Sequence, residues 1–389
     1  MQDHRASPPS PDDGSSASRG ATGSLDSLRE FARARVQASS APGAAIGLSE
    51  AGVPLFVEGL GLRDTEQALP VTPDTLFGIA SLTKAFTAVL ILKLQEMGRL
   101  TVHDPVVRRL PGFTTPDPDH TRAITLHHLL THSSGMPPSN LLYRAMARTL
   151  SPDDEAYHRP IDTEEELLAA IGAEDMRYVG APGERLSYSN EGFALLGYVV
   201  ERAAGRSYGE FLQDVVLDPL SMVRTTLRVP GPADEPVTRV YRRDPGGGGT
   251  ASFPAWRHAP AMLAAGFLRS TVPEMLRFLE IFYREGHGAD ARILSPDSMR
   301  QMLAPHMPYA PHQAYGYGVR ITAGYHGLRL VEHSGGLLGV ASHFTVVPER
   351  ELSAVGLANF LGAPMARVAL AAVNARLGLA YDEPRVVYA

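Results

Sequence analysis

The 389-residue chain contains no cysteine. Disulfides, thiol nucleophiles and thiolate metal sites are therefore excluded. Lysine is almost as scarce: of 36 lysine and arginine residues only Lys84 and Lys93 are lysine, leaving 34 arginines. The formal net charge is −6 with no basic block, which argues against nucleic acid as a partner. No apolar run approaches the roughly 20 residues of a membrane span, so no membrane partner is expected. Residues 1–24, MQDHRASPPSPDDGSSASRGATGS, have almost nothing to bury and read as a disordered tail. They also lack the apolar segment and cleavage site of a secretory signal, so a cytoplasmic protein is expected.

What the chain does have is bulk for a large core. Hydrophobic residues make up 44% of it, and its length suits one large or two interleaved domains. The two lysines then stand out. Wherever a cation alone is needed the chain uses arginine, so a retained lysine points to a role arginine cannot fill, namely giving up its proton when desolvated. Lys84 follows Ser81 by three residues in the stretch Phe77–Gly98, FGIASLTKAFTAVLILKLQEMG. Phe86, Val89, Leu90, Leu94 and Met97 keep helical spacing, and Gly98 marks a C-terminal stop. Residues at i and i+3 share a helix face, so the amine reaches the hydroxyl. A serine on the first turn also feels the positive end of the helix dipole, which favours an alkoxide or oxyanion. A neutral amine beside it is the general base that a weak hydroxyl nucleophile requires. The S-x-x-K spacing is weak alone; the scarcity of lysine sharpens it. Lys93 reads as a residual cation.

Taken in order, 25–39 space Leu25, Leu28, Phe31 and Val36 as an amphipathic helix. Ala44–Leu48 and Val53–Leu60 read as two strands joined by a tight turn. A long helical middle follows, with helices at Ile124–Thr131, Glu164–Ile171 and Glu191–Ala204. Residues 229–260 are rich in Pro and Gly; the run Gly246–Gly249 is loop, since no Lys-Ser/Thr follows it as in a phosphate cradle. Helices at Val272–Tyr283 and Pro296–Leu303 precede strands at Tyr315–Ile321, Leu328–His333, Ala341–Val347 and Leu352–Ala358, and a helix at Pro364–Leu377 closes the chain. The fold class is therefore α+β. The strands of 25–75 and 262–389 pair into one antiparallel sheet flanked by terminal helices, and a mostly helical region, 76–261, is inserted between them. A cleft at such a seam is where sites usually lie.

Three segments carry chemistry: Ser81-x-x-Lys84, Tyr188-Ser189-Asn190, and His333-Ser334-Gly335-Gly336. With the flanks LLTHSSGMP at 129–137 and PGERLSYSNEGFALLGYVVE at 182–201, the chain resembles the serine β-lactamase-like hydrolases over about residues 25–378. That group includes class C β-lactamases, penicillin-binding DD-peptidases, D-aminopeptidases, family VIII esterases and related acyltransferases. S-x-x-K with S-D-N and K-T-G marks penicillin-recognising enzymes; here the second and third elements differ. The resemblance implies a β-lactamase/transpeptidase-like fold with Ser81 as nucleophile and Lys84 assisting its deprotonation. Tyr188 would share the proton and pass it to the leaving group, its own pKa lowered by the neighbouring ammonium. Asn190 would hold the lysine and the substrate, and the N–H groups of Ser81 and Gly336 would form the oxyanion hole. Gly335 and Ser334 would line the substrate's path. His333 replaces a permanent cation, which favours neutral esters or amides over carboxylate-bearing substrates, and leaves His333 free to orient Tyr188 or respond to pH.

Other residues carry less. His128 and His132 lie at i, i+4, but without H-E-x-x-H they read as capping residues rather than zinc ligands. Trp256, the only tryptophan, either lines an acyl pocket or packs its loop. Tyr315 and Tyr317 read as strand packing. No metal or cofactor is expected. The sequence thus points to a serine hydrolase acting on a small-molecule acyl substrate through an acyl-enzyme, most readily an esterase. An acyltransferase using an amine or alcohol acceptor shares the first half-reaction and stays open. A β-lactamase or DD-peptidase, and a non-catalytic scaffold of the same fold, come behind.

Overall fold

Strands from the two ends of the chain meet in one sheet. The computed structural model describes residues 24–146, 160–231, 234–244, 246, 249–253 and 256–384; the N-terminal tail therefore lies outside the described residues, except for Ser24, whose hydroxyl caps the first helix by accepting from Ser27 N–H. In spatial order the strands run Leu69–Pro70, Val53–Asp64, Gly43–Glu50, Leu352–Ala358, Val340–Val347, Leu328–Leu337, Arg320–Tyr325, Gln313–Tyr315 and Met307–Ala310. Every neighbouring pair is antiparallel. The closing pair sets Ala44 opposite Ala358 and Glu50 opposite Leu352.

Val340–Val347 and Leu352–Ala358 are buried at every position, because helices cover both faces. Successive side chains on a strand point to opposite faces. Ile46, Leu48 and Ala354 accordingly join the terminal helices Leu25–Ala38 and Met365–Leu377 in one core. Ala45, Val355 and Leu357 join the inserted helical region in the other. The Thr83–Glu96 helix is buried on all sides over most of its length, as an all-round apolar helix must be. Phe86 stacks on Phe278 with ring centroids 3.7 Å apart. Among the described residues no helix is long and apolar enough to cross a membrane.

Three local differences from the sequence reading have physical causes. The strand expected over Tyr315–Ile321 is broken into Gln313–Tyr315 and Arg320–Tyr325. Between them Gly318 adopts φ +68° and lies so close to the helix that a Cβ there would sit 2.6 Å from the Lys84 carbonyl oxygen. The helix expected from Ile124 begins only after Thr125. Thr125 Oγ1 accepts from His128 N–H at 3.4 Å, and His128 Nδ1 accepts from Thr125 N–H at 3.2 Å, a reciprocal cap. The Pro/Gly-rich segment contains a small hairpin, Tyr241–Arg243 against Thr250–Ser252, too short to register as alternation.

Candidate active site

The turn that carries Ser81 is pinned before the helix begins. Ala80–Leu82 forms a 3₁₀ turn leading into Thr83–Glu96. Ala80 adopts φ +46°, a left-handed conformation costing a non-glycine residue roughly 1 kcal/mol. Thr83 Oγ1 donates to Ala80 O at 2.7 Å, and Ser342 Oγ reaches across from the sheet to Ile79 O at 2.6 Å. Gly335 completes the anchorage: a Cβ there would meet Ser342 Oγ at 2.2 Å and Ile79 O at 2.6 Å. Only glycine lets this strand lie against the turn.

Ser81 opens into a cleft bordered by Tyr188, Asn190, Leu142, Ser334 and Gly336. Its lysine lies beneath. Lys84 is fully buried; its Nζ donates to Ser81 Oγ at 3.1 Å, Asn190 Oδ1 at 2.9 Å and the Ala265 carbonyl at 2.6 Å. Burial pulls its pKa down to about 7, against a weaker opposing pull from Glu191. Close to neutrality a substantial share of Lys84 is therefore the free amine. Glu191, also buried, is held by Ser139 Oγ at 2.6 Å and Ser189 Oγ at 3.0 Å. Asn190 begins the helix Asn190–Ala204, whose N-cap Ser189 accepts from Gly192 N–H. With its Oδ1 engaged by the lysine, Asn190 has its amide N–H groups left for a substrate carbonyl in the cleft.

Tyr188 hydrogen-bonds Ser81, yet burial raises its pKa and that bond only partly offsets the rise. The lowered pKa expected from the sequence is thus corrected. Lys84 Nζ lies 5.0 Å from the centre of the Tyr188 ring, toward its face, and near neutrality it carries its proton only part of the time. In the resting site the proton vacancy resides on Lys84, while Tyr188 is a neutral phenol. For a neutral ester, kcat/KM is expected to climb roughly tenfold per unit at acidic pH, levelling above about 7 where Lys84 is unprotonated. A pH–rate profile flat from acid through neutrality would remove Lys84 as the titrating base.

His333 does not face the cleft. Along its strand Ser334 and Gly336 are exposed while His333 and Gly335 are buried, the alternation a strand imposes. His333 Nε2 accepts from Tyr315 O–H at 2.7 Å, its Nδ1–H donating to Ser334 O at 2.8 Å. Tyr315 O in turn accepts from His132 Nε2–H at 3.2 Å, and His132 Nδ1 accepts from Ser189 N–H at 3.1 Å. Both histidines are held well below their ordinary pKa, first by burial and then by nearby positive charge. Each is neutral at physiological pH. The ring of His132 lies 4.0 Å from that of Tyr188, that of His333 6.4 Å. His132, not His333, backs the tyrosine. A permanent cation nevertheless reaches the site from the neighbouring strand: Arg320 Nη2 donates to Ser334 Oγ at 2.9 Å.

Sequence reasoning assigned no catalytic part to His132, Tyr315, Glu191 or Arg320. Tyr315 belongs to this chain of hydrogen bonds rather than to strand packing alone, whereas Tyr317 turns away to His127 Nδ1 at 2.8 Å. The register that sets Arg320 opposite Glu332 would have exposed Arg320, had the strand break been visible. Trp256 borders not the cleft but an adjoining hollow. Among the described residues no group of His, Asp and Glu side chains is placed to hold a metal ion.

Comparisons with known proteins bear on the family and the fold. The family model described as Beta-lactamase matches residues 28–378. A penicillin-binding protein homologue from Pyrococcus abyssi, solved as an octamer, superposes with a TM-score of 0.81 at 30% identity, covering 92% of this chain and 78% of that one. A D-stereospecific amidohydrolase from Streptomyces sp. gives 0.73 at 25% identity, covering 89% and 97%. "Protein flp" of Staphylococcus aureus (strain MW2) is 31% identical over 193 residues, which is 50% of this chain and 36% of that protein, so the chain matches only about a third of its length.

Proposed function

Since this chain belongs to the Beta-lactamase family, a family of serine hydrolases, we propose that it acylates Ser81 from a small ester or amide and releases the acid to water. The observation that carries this reading is the fully buried Lys84 amine 3.1 Å from Ser81 Oγ, its pKa brought to about 7. Lys84 takes the hydroxyl proton as Oγ bonds to the substrate's carbonyl carbon. The carbonyl oxygen becomes an oxyanion, which accepts hydrogen bonds from the N–H groups of Ser81 and Gly336. Collapse breaks the bond to the leaving oxygen or nitrogen, and the proton reaches that atom through Tyr188. Water then attacks the acyl-serine, the acid departs and Ser81 regains its proton. An acyltransferase would differ only in admitting an amine or alcohol in place of water.

One observation favours a second reading, a substrate bearing a carboxylate beside the scissile bond. Arg320 supplies at Ser334 the cation that His333 lacks, which removes the sequence-based reason to prefer neutral substrates. The D-stereospecific amidohydrolase among the structural relatives makes peptides ending in a D-residue the natural probes. Labelling by a fluorophosphonate tests the shared chemistry. The wild type is expected to take one label and the Ser81→Ala variant none; labelling that survives Ser81→Ala would place the nucleophile elsewhere.

A further inference from the structure

Behind Ser334 lies a buried polar chain that the chemistry above leaves unused. The pairing of Leu328–Leu337 with Val340–Val347 sets Ser334 opposite His343 and Glu332 opposite Thr345. Residues two apart on a strand share a face, so these four side chains meet. Ser334 is exposed to the cleft, whereas His343, Glu332 and Thr345 are buried. Ser334 Oγ lies 2.8 Å from His343 Nδ1, and His343 Nε2 lies 3.2 Å from Glu332 Oε1 and 3.1 Å from Thr345 Oγ1. Thr345 O–H donates to the same carboxylate oxygen at 3.1 Å, and Arg320 Nη2 donates to Ser334 Oγ at 2.9 Å.

An ionised Glu332 only accepts, so Nε2 carries a proton and two arrangements remain. With His343 neutral, the Nδ1 lone pair takes the Ser334 proton, and the serine offers the cleft a lone pair alone. With His343 protonated, Nδ1–H donates to Ser334 Oγ alongside Arg320, and the serine proton is free to point into the cleft. Glu332 favours that protonation and Arg320 opposes it; His333, on the strand of Glu332, is neutral. The other neighbouring strand, Leu352–Ala358, carries no titratable side chain. On the covering helix Met365–Leu377, Arg367 and Arg376 are engaged by Asp382 and Glu50.

Ser334 stands on the leaving-group side. It borders one cleft with Tyr188, the proton donor to the leaving atom, and the charge of Arg320, seated on Ser334, reaches the Tyr188 phenol. We propose that His343, held by Glu332, selects the leaving group by setting the polarity of Ser334. A neutral His343 suits a leaving group that carries a hydrogen-bond donor; a protonated His343 suits one that carries a carboxylate. The two substrate readings above are then two protonation states of one residue. The inference rests on the reading of Ser81 as the acylated residue.

The test compares O-butyryl glycolate with O-butyryl glycolamide, alike except that a carboxylate replaces a carboxamide on the leaving group, from about pH 5 to 9. Titration of Lys84 acts on both esters and cancels in the ratio of their kcat/KM. In the wild type the glycolate-to-glycolamide ratio is expected to fall about tenfold as pH rises, along a one-proton curve, the worth of one hydrogen bond to a charged group. His343→Asn cannot titrate and should hold the ratio constant. Ser334→Ala, at an exposed position, should do the same by removing the hydroxyl. Fluorophosphonate labelling of Ser81 checks the fold of each variant; should the buried His343→Asn fail to take the label, Ser334→Ala decides alone. A ratio independent of pH in the wild type, or one that falls equally in the variants, would overturn the inference, and acylation of Ser81 by both esters would leave the proposed function standing. Failure of both esters and of p-nitrophenyl butyrate to acylate Ser81 would overturn the two together.

Discussion

Replacing Lys84 with arginine is expected to slow acylation of Ser81 by about a thousandfold or more. Arginine keeps the positive charge and much of the length but cannot release its proton at any pH the protein survives. The substitution therefore separates a structural cation from a base. Charge alone is not what the site holds: the amine is buried and its pKa lies at about 7, which costs the protonated form and favours the neutral one. Because a guanidinium is also bulkier, Lys84→Met provides the second arm. It removes the base without adding volume and should show a comparable loss. Burst kinetics with p-nitrophenyl butyrate would measure both variants, with circular dichroism confirming the fold. Acylation by Lys84→Met within tenfold of wild type would mean that another group takes the serine proton.

Tyr188→Phe should cost activity in a way that depends on the leaving group. The phenol hydrogen-bonds Ser81 while its pKa stays above the usual range, so it serves as a relay and proton donor rather than as the resting base. p-Nitrophenolate departs without needing a proton; an alkoxide or amide nitrogen does not. A loss of roughly a hundredfold to a thousandfold in kcat is expected on alkyl esters, and one of about tenfold on p-nitrophenyl esters, with KM little changed. An equal loss on both classes would assign Tyr188 to positioning Ser81 alone. Rescue of the alkyl ester by a small acid in the buffer would strengthen the relay role.

Much of this site was legible because two signals coincided. The three-residue spacing of Ser81 and Lys84 placed them on one helical face, and the scarcity of lysine singled that pair out. The sheet was legible for a similar reason. Apolar runs at both ends, with helices outside them, leave few arrangements that bury both. What escaped depended on contacts across the chain. The chain from Ser189 through His132 and Tyr315 to His333 needs His132 in a left-handed conformation, at φ +54°, and a strand broken where Gly318 meets the Lys84 carbonyl. Neither follows from periodicity. Strand alternation did carry one warning: if Ser334 and Gly336 face the cleft, His333 and Gly335 cannot. The direction of the Tyr188 shift is not legible because burial, which outweighs the Ser81 hydrogen bond and Arg320, is absent from a sequence.

If Ser81 carries the acyl group, intact-protein mass spectrometry after brief mixing with p-nitrophenyl butyrate will detect it there. One butyryl adduct is expected, mapped to Ser81, that clears in water; an adduct that clears only when an amine or alcohol is added would assign the acyltransferase. A folded protein that turns the ester over with no adduct on Ser81 would contradict an acyl-enzyme at Ser81.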